Sequence, residues 1–482
     1  MMLLAGCEVG PKYARPNVPA APADTFKEVD GWKTAQPSDQ LQRGAWWEIF
    51  GDSQLNALEA QLTTSSQDLK VAQARFQQAR ALIRINRASE FPTVTTAPSI
   101  ASIRDSPNRP YFTTTSTTGD FVLPFDLSYE LDVWGRVRRT VAASREEAQA
   151  TAGDLETVSL SLHAELALDY FELRSADAQK QLLDDTVKAY QDALQLTINR
   201  FDGGAAPKSD VAQARTQLET TTVQDTDVSV ERAQFEHAIA ILIGKPPAAF
   251  TLVPSPLHVQ PPSISVGLPS QLLERRPDIA AAERRVAESN EQIGIARAAF
   301  FPTIILSASA GFEGDSITNW FSWPSRFWGV GPSAMETIFD AGRRRATSQV
   351  AFANYDAIVA SYRETTLTAL QQVEDNLAAL RVLEQEAQQQ KDATASAQES
   401  LQVFTDRYIG GADPYLQVLT AQTVALQNER NDVDILRRRM DASVLLIKAV
   451  GGGWNASQLP SATQLGQRGK DQAWQNMPKS GT

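Results

Sequence analysis

The chain has 482 residues, enough for roughly two to four domains by length alone. It carries 45 basic against 57 acidic residues, a net charge of −12, which argues against nucleic acid as the main partner because phosphate binding needs a basic surface. Its one cysteine excludes an intrachain disulfide, and no apolar run approaches the roughly 20 residues of a transmembrane helix, so any crossing of a membrane must be made by strands.

The first residues read Met1-Met2-Leu3-Leu4-Ala5-Gly6-Cys7. Leu-Ala-Gly-Cys resembles a bacterial lipobox, in which the cysteine is lipidated and becomes the mature N-terminus. A signal peptide needs a charged start and an apolar stretch of about 7–15 residues, so residues 1–6 read as the remnant of one. Glu8 follows Cys7. In lipoproteins of this type Asp at that place commonly signals inner-membrane retention, and its absence favours the outer membrane. Residues 7–40, rich in Pro and Ala and without period, read as a lipidated, extended tether.

From there the chain is written twice. Asp68, Ala88, Phe91 and Pro92 recur 210 residues on as Asp278, Ala298, Phe301 and Pro302. Gly135, Gly203, Pro207 and Gly244 recur 207 residues on as Gly342, Gly410, Pro414 and Gly451. The three-residue difference falls between Pro92 and Gly135, where a loop is expected. Residues 41–244 form the first repeat, 245–270 an equatorial linker, 271–454 the second repeat and 455–482 a loose polar tail.

Within each repeat the period changes in order. Ser53–Glu90 lacks glycine and proline and reads as helix. FPTVTTAPSIAS and FPTIILSASAG open strands, and in FVLPFDLSYELDVW the residues Phe121, Leu123, Phe125, Leu127, Tyr129 and Leu131 alternate with Pro124, Asp126, Ser128, Glu130 and Asp132. That is a strand with one greasy and one polar face. Two strands per repeat make four, too few to close a barrel, for which about eight is the practical minimum. Several chains must therefore pool strands if the sheet lies in lipid. Trp320, Phe321, Trp323, Phe327 and Trp328 cluster beside the second hairpin, as an interfacial girdle or a loop-filling cluster would.

Each strand pair hands over to a long helix. Gly342 to Gly410 encloses no Gly or Pro, and Gly135 to Gly203 only Gly153. Apolar residues at steps of three and four, such as Leu183, Val187, Tyr190, Leu194 and Ile198, give each stretch one sticky face. At 1.5 Å per residue each would run about 100 Å. A corner follows, RFDGGAAPKSDVAQAR from Arg200 and RYIGGADPYLQVLTAQ from Arg407, and then another unbroken stretch, Lys208–Ile243 or Tyr415–Val450.

Several ordered motifs together resemble the outer-membrane efflux proteins of the TolC superfamily, more closely the NodT/OprM-like lipoproteins. CEVGPKYARP from Cys7, WWEIFGDSQLNALEAQ from Trp46, LLERRPDIAAAE from Leu272, LDVWGRVRR and IFDAGRRRA carry the resemblance, which covers roughly residues 7–455. It implies a mainly α chain with a membrane β portion: duplicated long helical hairpins forming a trimeric periplasmic α-barrel, and four strands per chain in a shared twelve-stranded outer-membrane β-barrel. It further implies a passive exit duct for small molecules, with a periplasmic adaptor and an inner-membrane pump of the RND type as partners, outer-membrane lipid around it, no cofactor and no enzyme activity. Type I protein secretion through the same duct, or a coiled-coil scaffold lipoprotein without a pore, are the alternatives.

The two corners then become hairpin tips at the periplasmic mouth. Asp413 is the gate candidate, because in OprM-like relatives an acidic residue in this Gly-x-Asp context rings the closed tip, and Asp210 is a weaker second. In TolC itself the acidic ring lies near Gln417 and Thr420, which are not acidic here. Asp413 before Pro414 is equally suited to cap the following helix. Gly203, Gly204, Gly410 and Gly411 suit a reversal needing positive φ, with adaptor docking implied by the family alone. Arg200 and Arg407 suit helix C-termini, whose partial negative charge favours cations. His163, His237 and His258 are too far apart in sequence to suggest a zinc site. Gly451-Gly452-Gly453 lacks the Lys-Ser/Thr of a phosphate loop.

Overall fold

Glycines set the frame of the molecule. In the computed structural model, residues 9–17, 26–29, 44–104, 106, 108, 110, 117–257, 259–264 and 272–466 are described. The first repeat runs α1 (Ser53–Ser65), α2 (Gln67–Ala88), β1 (Thr93–Thr95), β2 (Ser99–Ile103), β3 (Thr118–Glu130), α3 (Arg136–Asp202) and α4 (Lys208–Leu242). The second runs α5 (Leu272–Arg275), α6 (Pro277–Ala298), β4 (Thr303–Gly314), β5 (Arg326–Met335), α7 (Arg343–Ile409) and α8 (Tyr415–Ala449), and α9 (Ala462–Gly466) follows.

The long stretches are single helices of 67 residues, α3 and α7, each starting behind a left-handed glycine, Gly135 at φ 83° and Gly342 at φ 88°. Gly153 does not interrupt α3. A Cβ there would come 2.9 Å from the carbonyl oxygen of Pro277, so the glycine lets α6 lie close. The stretch expected as one helix from Ser53 is two. Ser66 takes φ −54°, ψ 129° between α1 and α2, and its hydroxyl caps Leu69 N–H. Helix α3 pairs with α4 and α7 with α8, and α8 lies on α3, which gives a row α4–α3–α8–α7. Helix α6 packs against both α3 and α7, whereas its counterpart α2 packs against α3 and α9.

The sheet is antiparallel in the order β1/β2–β3–β4–β5. Four strands were expected and five are present, because the first is divided. Thr95 faces Asp126 and Ser99 faces Val122, so β1 and β2 meet β3 in one register. Pro98, lying between them, has no N–H to give the ladder. The register sorts the side chains. Val94, Leu127 and Ala308 share a face with Ile100, Phe121, Leu123, Phe312, Tyr129 and Leu306, and Val330 and Trp328 extend it through β5. Thr95, Asp126 and Ser309 lie on the other, where the Ser309 hydroxyl donates to Asp126 at 2.6 Å. The apolar face is bare: Ile100 is 66% and Trp328 80% exposed. Trp320 stacks on Phe321 at 4.7 Å and meets Phe121, filling the loop, while Trp323 and Trp328 project outward.

The main core sits at mid-height, where α1, α3, α7 and α8 meet through Leu55, Leu166, Phe171, Val373, Leu377 and Ile447. Here the halves close alike. Gly244, at φ 70°, lies so near that a Cβ would come 2.6 Å from the Ser65 carbonyl oxygen, and Gly451, at φ 97°, lies against that of Arg275 in the same way. These glycines therefore do more than end a helix. Buried in this core, His163 Nδ1 meets Glu59 at 2.5 Å and its ring stacks on Trp47 at 4.3 Å. Burial pushes Glu59 up to about 9 and His163 down to about 4, so the pair is neutral at pH 7.

Both ends of the chain are fastened where they are described. The N-terminal stretch, expected as a tether, is extended but pinned. Val9 N–H donates to Trp134 O, Tyr13 OH to Glu283 at 2.7 Å, and the N–H groups of Lys27 and Glu28 to Glu374 at 2.8 and 3.0 Å. Phe26 is buried in the core. The tail expected to be loose folds back through α9, where Leu465 packs against Ala79, Ile83 and Ala148. Cys7 and residues 467–482 lie outside the described residues.

Candidate functional site at the two helical tips

The corners have one backbone. In the first, Ala205 N–H reaches Arg200 O at 2.7 Å and Gly204 N–H reaches Phe201 O at 2.9 Å; in the second, Ala412 reaches Arg407 O at 2.8 Å and Gly411 reaches Tyr408 O at 3.0 Å. This is the helix-ending motif in which a six-residue bond encloses a left-handed residue. Gly204 (φ 74°) and Gly411 (φ 77°) supply that residue. Gly203 (φ −78°) and Gly410 (φ −72°) do not; both keep negative φ and need no glycine for their backbone, which corrects the expectation that all four suit a positive φ. Pro207 and Pro414 then hold extended backbone, ψ 158° and 155°, before the return helices.

The side chains depart from this symmetry. Arg407 Nε and Nη2 donate to Asp413 Oδ2 and Oδ1 at 2.5 and 3.1 Å, a two-pronged pair within one corner. The Arg407 guanidinium holds the Asp413 carboxyl below the usual carboxylate range. Asp413 is not the helix cap. The capping position is Pro414, no side chain bonds the free N–H groups there, and both carboxylate oxygens are engaged by the arginine. The ion pair won over the cap because charge-assisted, bidentate bonds are the stronger kind.

Arg200, the repeat counterpart of Arg407, has Ala206 where the other has Asp413. It reaches out of its own corner instead. Its Nη1 donates to Ile409 O, at the end of α7, at 2.8 Å, and its guanidinium lies 4.8 Å from the Tyr408 ring. An arginine was expected at a helix C-terminus; the carbonyl it satisfies belongs to the other long helix. Tyr408 meets Tyr415 edge-on at 5.3 Å, over Ala214 and Val418. Asp210 is buried in the first turn of α4, with Ser209 Oγ at 3.4 Å. Burial, with the charges of Tyr408, Tyr190 and Asp210 nearby, pushes Tyr415 up to about 12. Asp413 and Asp210 therefore occupy different settings, one tied to a surface arginine and one inside the contact between hairpins.

Two sets of functional positions were not singled out from sequence. Tyr408 and Tyr415 join the tips, and the signal available was their replacement by Phe201 and Lys208 in the first copy. Arg276, within the LLERRPDIAAAE stretch, bonds Asp278 at 2.6 and 3.0 Å and reaches Ala449 O at 3.0 Å and Gln372 at 2.8 Å, so it fastens the start of α6 to the end of α8. Among the described residues no group of His, Cys, Asp or Glu could hold a metal ion.

Comparison with known proteins follows the duplication. The family model described as "Outer membrane efflux protein" matches residues 58–245 and again 268–452. The toluene efflux pump outer membrane protein TtgF of Pseudomonas putida is 31% identical over 474 residues, covering 96% of this chain and 97% of that protein. The cation efflux system protein CusC of Escherichia coli is 30% identical over 456 residues, covering 94% and 97%. Among solved structures, the outer-membrane channel OprN superposes with a TM-score of 0.86 at 30% identity, over 93% of this chain and 100% of that one.

Proposed function

The chain belongs to the outer membrane efflux protein family, and from that premise we propose that it is the outer-membrane exit duct of a tripartite efflux system. It conducts small molecules passively from a pump and its adaptor to the outside. The observation that carries the reading is the sheet. One face is largely apolar and half-buried to exposed, the other carries Asp126, Ser128 and Ser309, and among the described residues neither edge strand, β1/β2 or β5, pairs on its outer side. In hydrocarbon each unsatisfied edge group costs several kcal/mol, so such a sheet must close on others like it.

The helical row supports closure by copies of the same chain. Helix α6 sits between α3 and α7, while α2 packs on α3 and, among the described residues, closely on no second long helix. A ring of three chains, twelve strands above and six hairpins below, gives α2 the neighbour its counterpart already has. The partners are then a periplasmic adaptor and an inner-membrane pump of the RND type, with the hairpin tips, at Arg200, Gly203, Gly204, Arg407, Gly410 and Gly411, as the docking end.

The resting constriction in this reading lies at Asp413, three copies of which give a narrow, cation-attracting ring, with Asp210 at the same end of the hairpins. Lipidation at Cys7 fits the position of Val9, two residues on, which is bonded to Trp134 where β3 hands over to α3. The test is conductance in a planar bilayer together with native mass in mild detergent. A conducting trimer is expected; a monodisperse monomer with strand signal intact and no conductance would overturn the reading.

A further inference from the structure

The repeat offset of 207 lays β5 over β3 with the same alternation: Trp328 and Val330 fall on Phe121 and Leu123, all on the apolar face. On the polar face the first copy has Asp120, Asp126 and Glu130, and Asp132 follows just past the strand. At those places the second copy has Phe327, Ser333, Thr337 and Phe339. Every one of these carboxylates is gone. The arginines that open the following helix are kept, Arg136 and Arg138 as Arg343 and Arg345.

In the first copy both arginines are neutralised. Arg136 donates to the two oxygens of Glu130 at 2.9 and 2.5 Å, and Arg138 to Asp132 at 3.1 Å. Glu130 lies on the polar face of β3, so the first turn of the helix sends its guanidinium groups to that side. Arg343 and Arg345 are exposed and, among the described residues, pair with no carboxylate. The acids nearest in sequence are committed elsewhere. Asp340 is held by Arg344 at 2.7 Å and by the N–H groups of Gly342 and Arg344. Glu336 falls on Tyr129, whose place is on the apolar face. Phe339, standing where the first copy has Asp132, is 86% exposed. Two cations without counter-charge beside a bare aromatic ring suit an anion with an apolar body. Guanidinium bonds to a carboxylate or sulfonate are of the strong, charge-assisted kind, and the ring removes apolar surface from water.

We propose that Arg343, Arg345 and Phe339 form a recognition site for amphiphilic organic anions on the inner wall of the duct, one per chain, at the level where the sheet hands over to the helices. The proposal rests on the duct proposed above, which turns the polar face of the sheet inward, and adds a class of substrate to it. Asp413 lies beyond the far end of α7, about 100 Å away along 67 residues of helix. That is many times the screening length of about 8 Å at physiological salt, so a cation-attracting tip and an anion-holding collar act independently.

The experiment is equilibrium dialysis of the full-length chain in a neutral detergent, with micelles alone as the blank. The probe is naphthalene-1-sulfonate, and naphthalen-1-ylmethylammonium is its cationic counterpart. The parent should hold the sulfonate more tightly than the ammonium. Arg343→Gln with Arg345→Gln should weaken sulfonate binding about two- to five-fold per arginine, as partly exposed ion pairs do, and should not weaken the ammonium. Thr337→Glu with Phe339→Asp restores the carboxylates of the first copy without deleting an arginine, and should weaken the sulfonate as much. Phe339→Ser alone should weaken naphthalene-1-sulfonate and leave inorganic sulfate as it was. Equal sulfonate affinity in the parent and in either double variant, from samples of trimeric native mass, would overturn the site while leaving the duct intact. A monomeric, non-conducting parent would overturn the duct and the site with it.

Discussion

Arg200 and Arg407 stand at one position of a duplicated sequence, yet Arg200 crosses to the other hairpin and Arg407 folds back on its own corner. The backbones beneath them match bond for bond. Among the side chains that differ, the one that meets the second arginine lies six residues on, Ala206 in the first corner and Asp413 in the second. A carboxylate within reach captures its arginine; without one, the arginine takes the nearest unsatisfied carbonyl, that of Ile409 at the end of a long helix, and an aromatic face. Duplication thus supplies the scaffold through glycine and proline, and one substitution decides whether the two hairpins are tied together at their tips.

The widest break in this comparison would come from the shared scaffold. Gly244 and Gly451 both combine positive φ with a carbonyl oxygen where a Cβ would go. Gly244→Ala and Gly451→Ala should each cost roughly 3 kcal/mol, about 1 from the left-handed backbone and the rest from displacing α1 or α5. Thermal melting in detergent checks this. A variant that melts with the parent would show that the two halves do not need the same closure.

Next in size is the tie itself. Arg200→Ala removes a charged donor from Ile409 O and a cation from the Tyr408 ring, a loss of about 1–2 kcal/mol. With the tie gone, resting conductance should rise. Ala206→Asp makes the first corner resemble the second without deleting anything, and should raise conductance likewise by drawing Arg200 home. Arg407→Ala breaks only the pair with Asp413 and should leave the contact between hairpins in place. Equal conductance in all three variants would remove the distinction between the arginines.

Much of the fold was legible because its signals are long and repeated. A stretch of 67 residues between glycines has few alternatives to helix, and the even and odd positions of β3 declared their faces before any register was known. Other features depended on contacts that the local sequence does not announce. Nothing near Pro98 says that one strand will be entered as two, since the ladder it interrupts belongs to β3. Asp413 before a proline has the local signature of a cap, and it took the position of Arg407, brought round by the turn, to make it an ion pair. The pinning of residues 9–17 depends on Glu283, Asn290 and Tyr362, some 270 residues or more away. Polar composition at a chain end reads as loose unless those partners are known.

A pH experiment sharpens the comparison further, with a smaller effect. The folded-state pKa of Asp413 is depressed by Arg407, so the pair is intact above the ordinary carboxylate range and is lost as pH falls through the folded value. Arg200 has no carboxylate partner among the described residues; it bonds the carbonyl of Ile409 instead. If Asp413 lines the constriction, cation preference should fall as the medium is acidified, and Asp413→Asn should show at neutral pH what the parent shows in acid. Melting should change little, since Asp413 caps nothing. Identical selectivity of the Asn variant and the parent at every pH would take Asp413 out of the constriction.

The smallest expected effects lie in the glycine pairs, and they discriminate well because the two members of each pair differ in conformation rather than in sequence. Gly203 and Gly410 keep negative φ at the ends of their helices, and an added Cβ would stand 3.4 Å from Asn199 O or Asp406 O, tight but not overlapping. Alanine there removes conformational freedom from the unfolded chain and improves the last turn of the helix, for a gain of about 0.5 kcal/mol less whatever that close contact costs. Gly204 and Gly411 are left-handed with open space around them, so alanine meets no neighbour and pays only for the backbone, about 1 kcal/mol. Four single variants should therefore fall into two groups by position within the pair, not by which corner they occupy. Melting temperatures that instead grouped Gly203 with Gly204, and Gly410 with Gly411, would show that the corners differ in their backbone as well, and that Ala206 against Asp413 is not the whole of the difference between them.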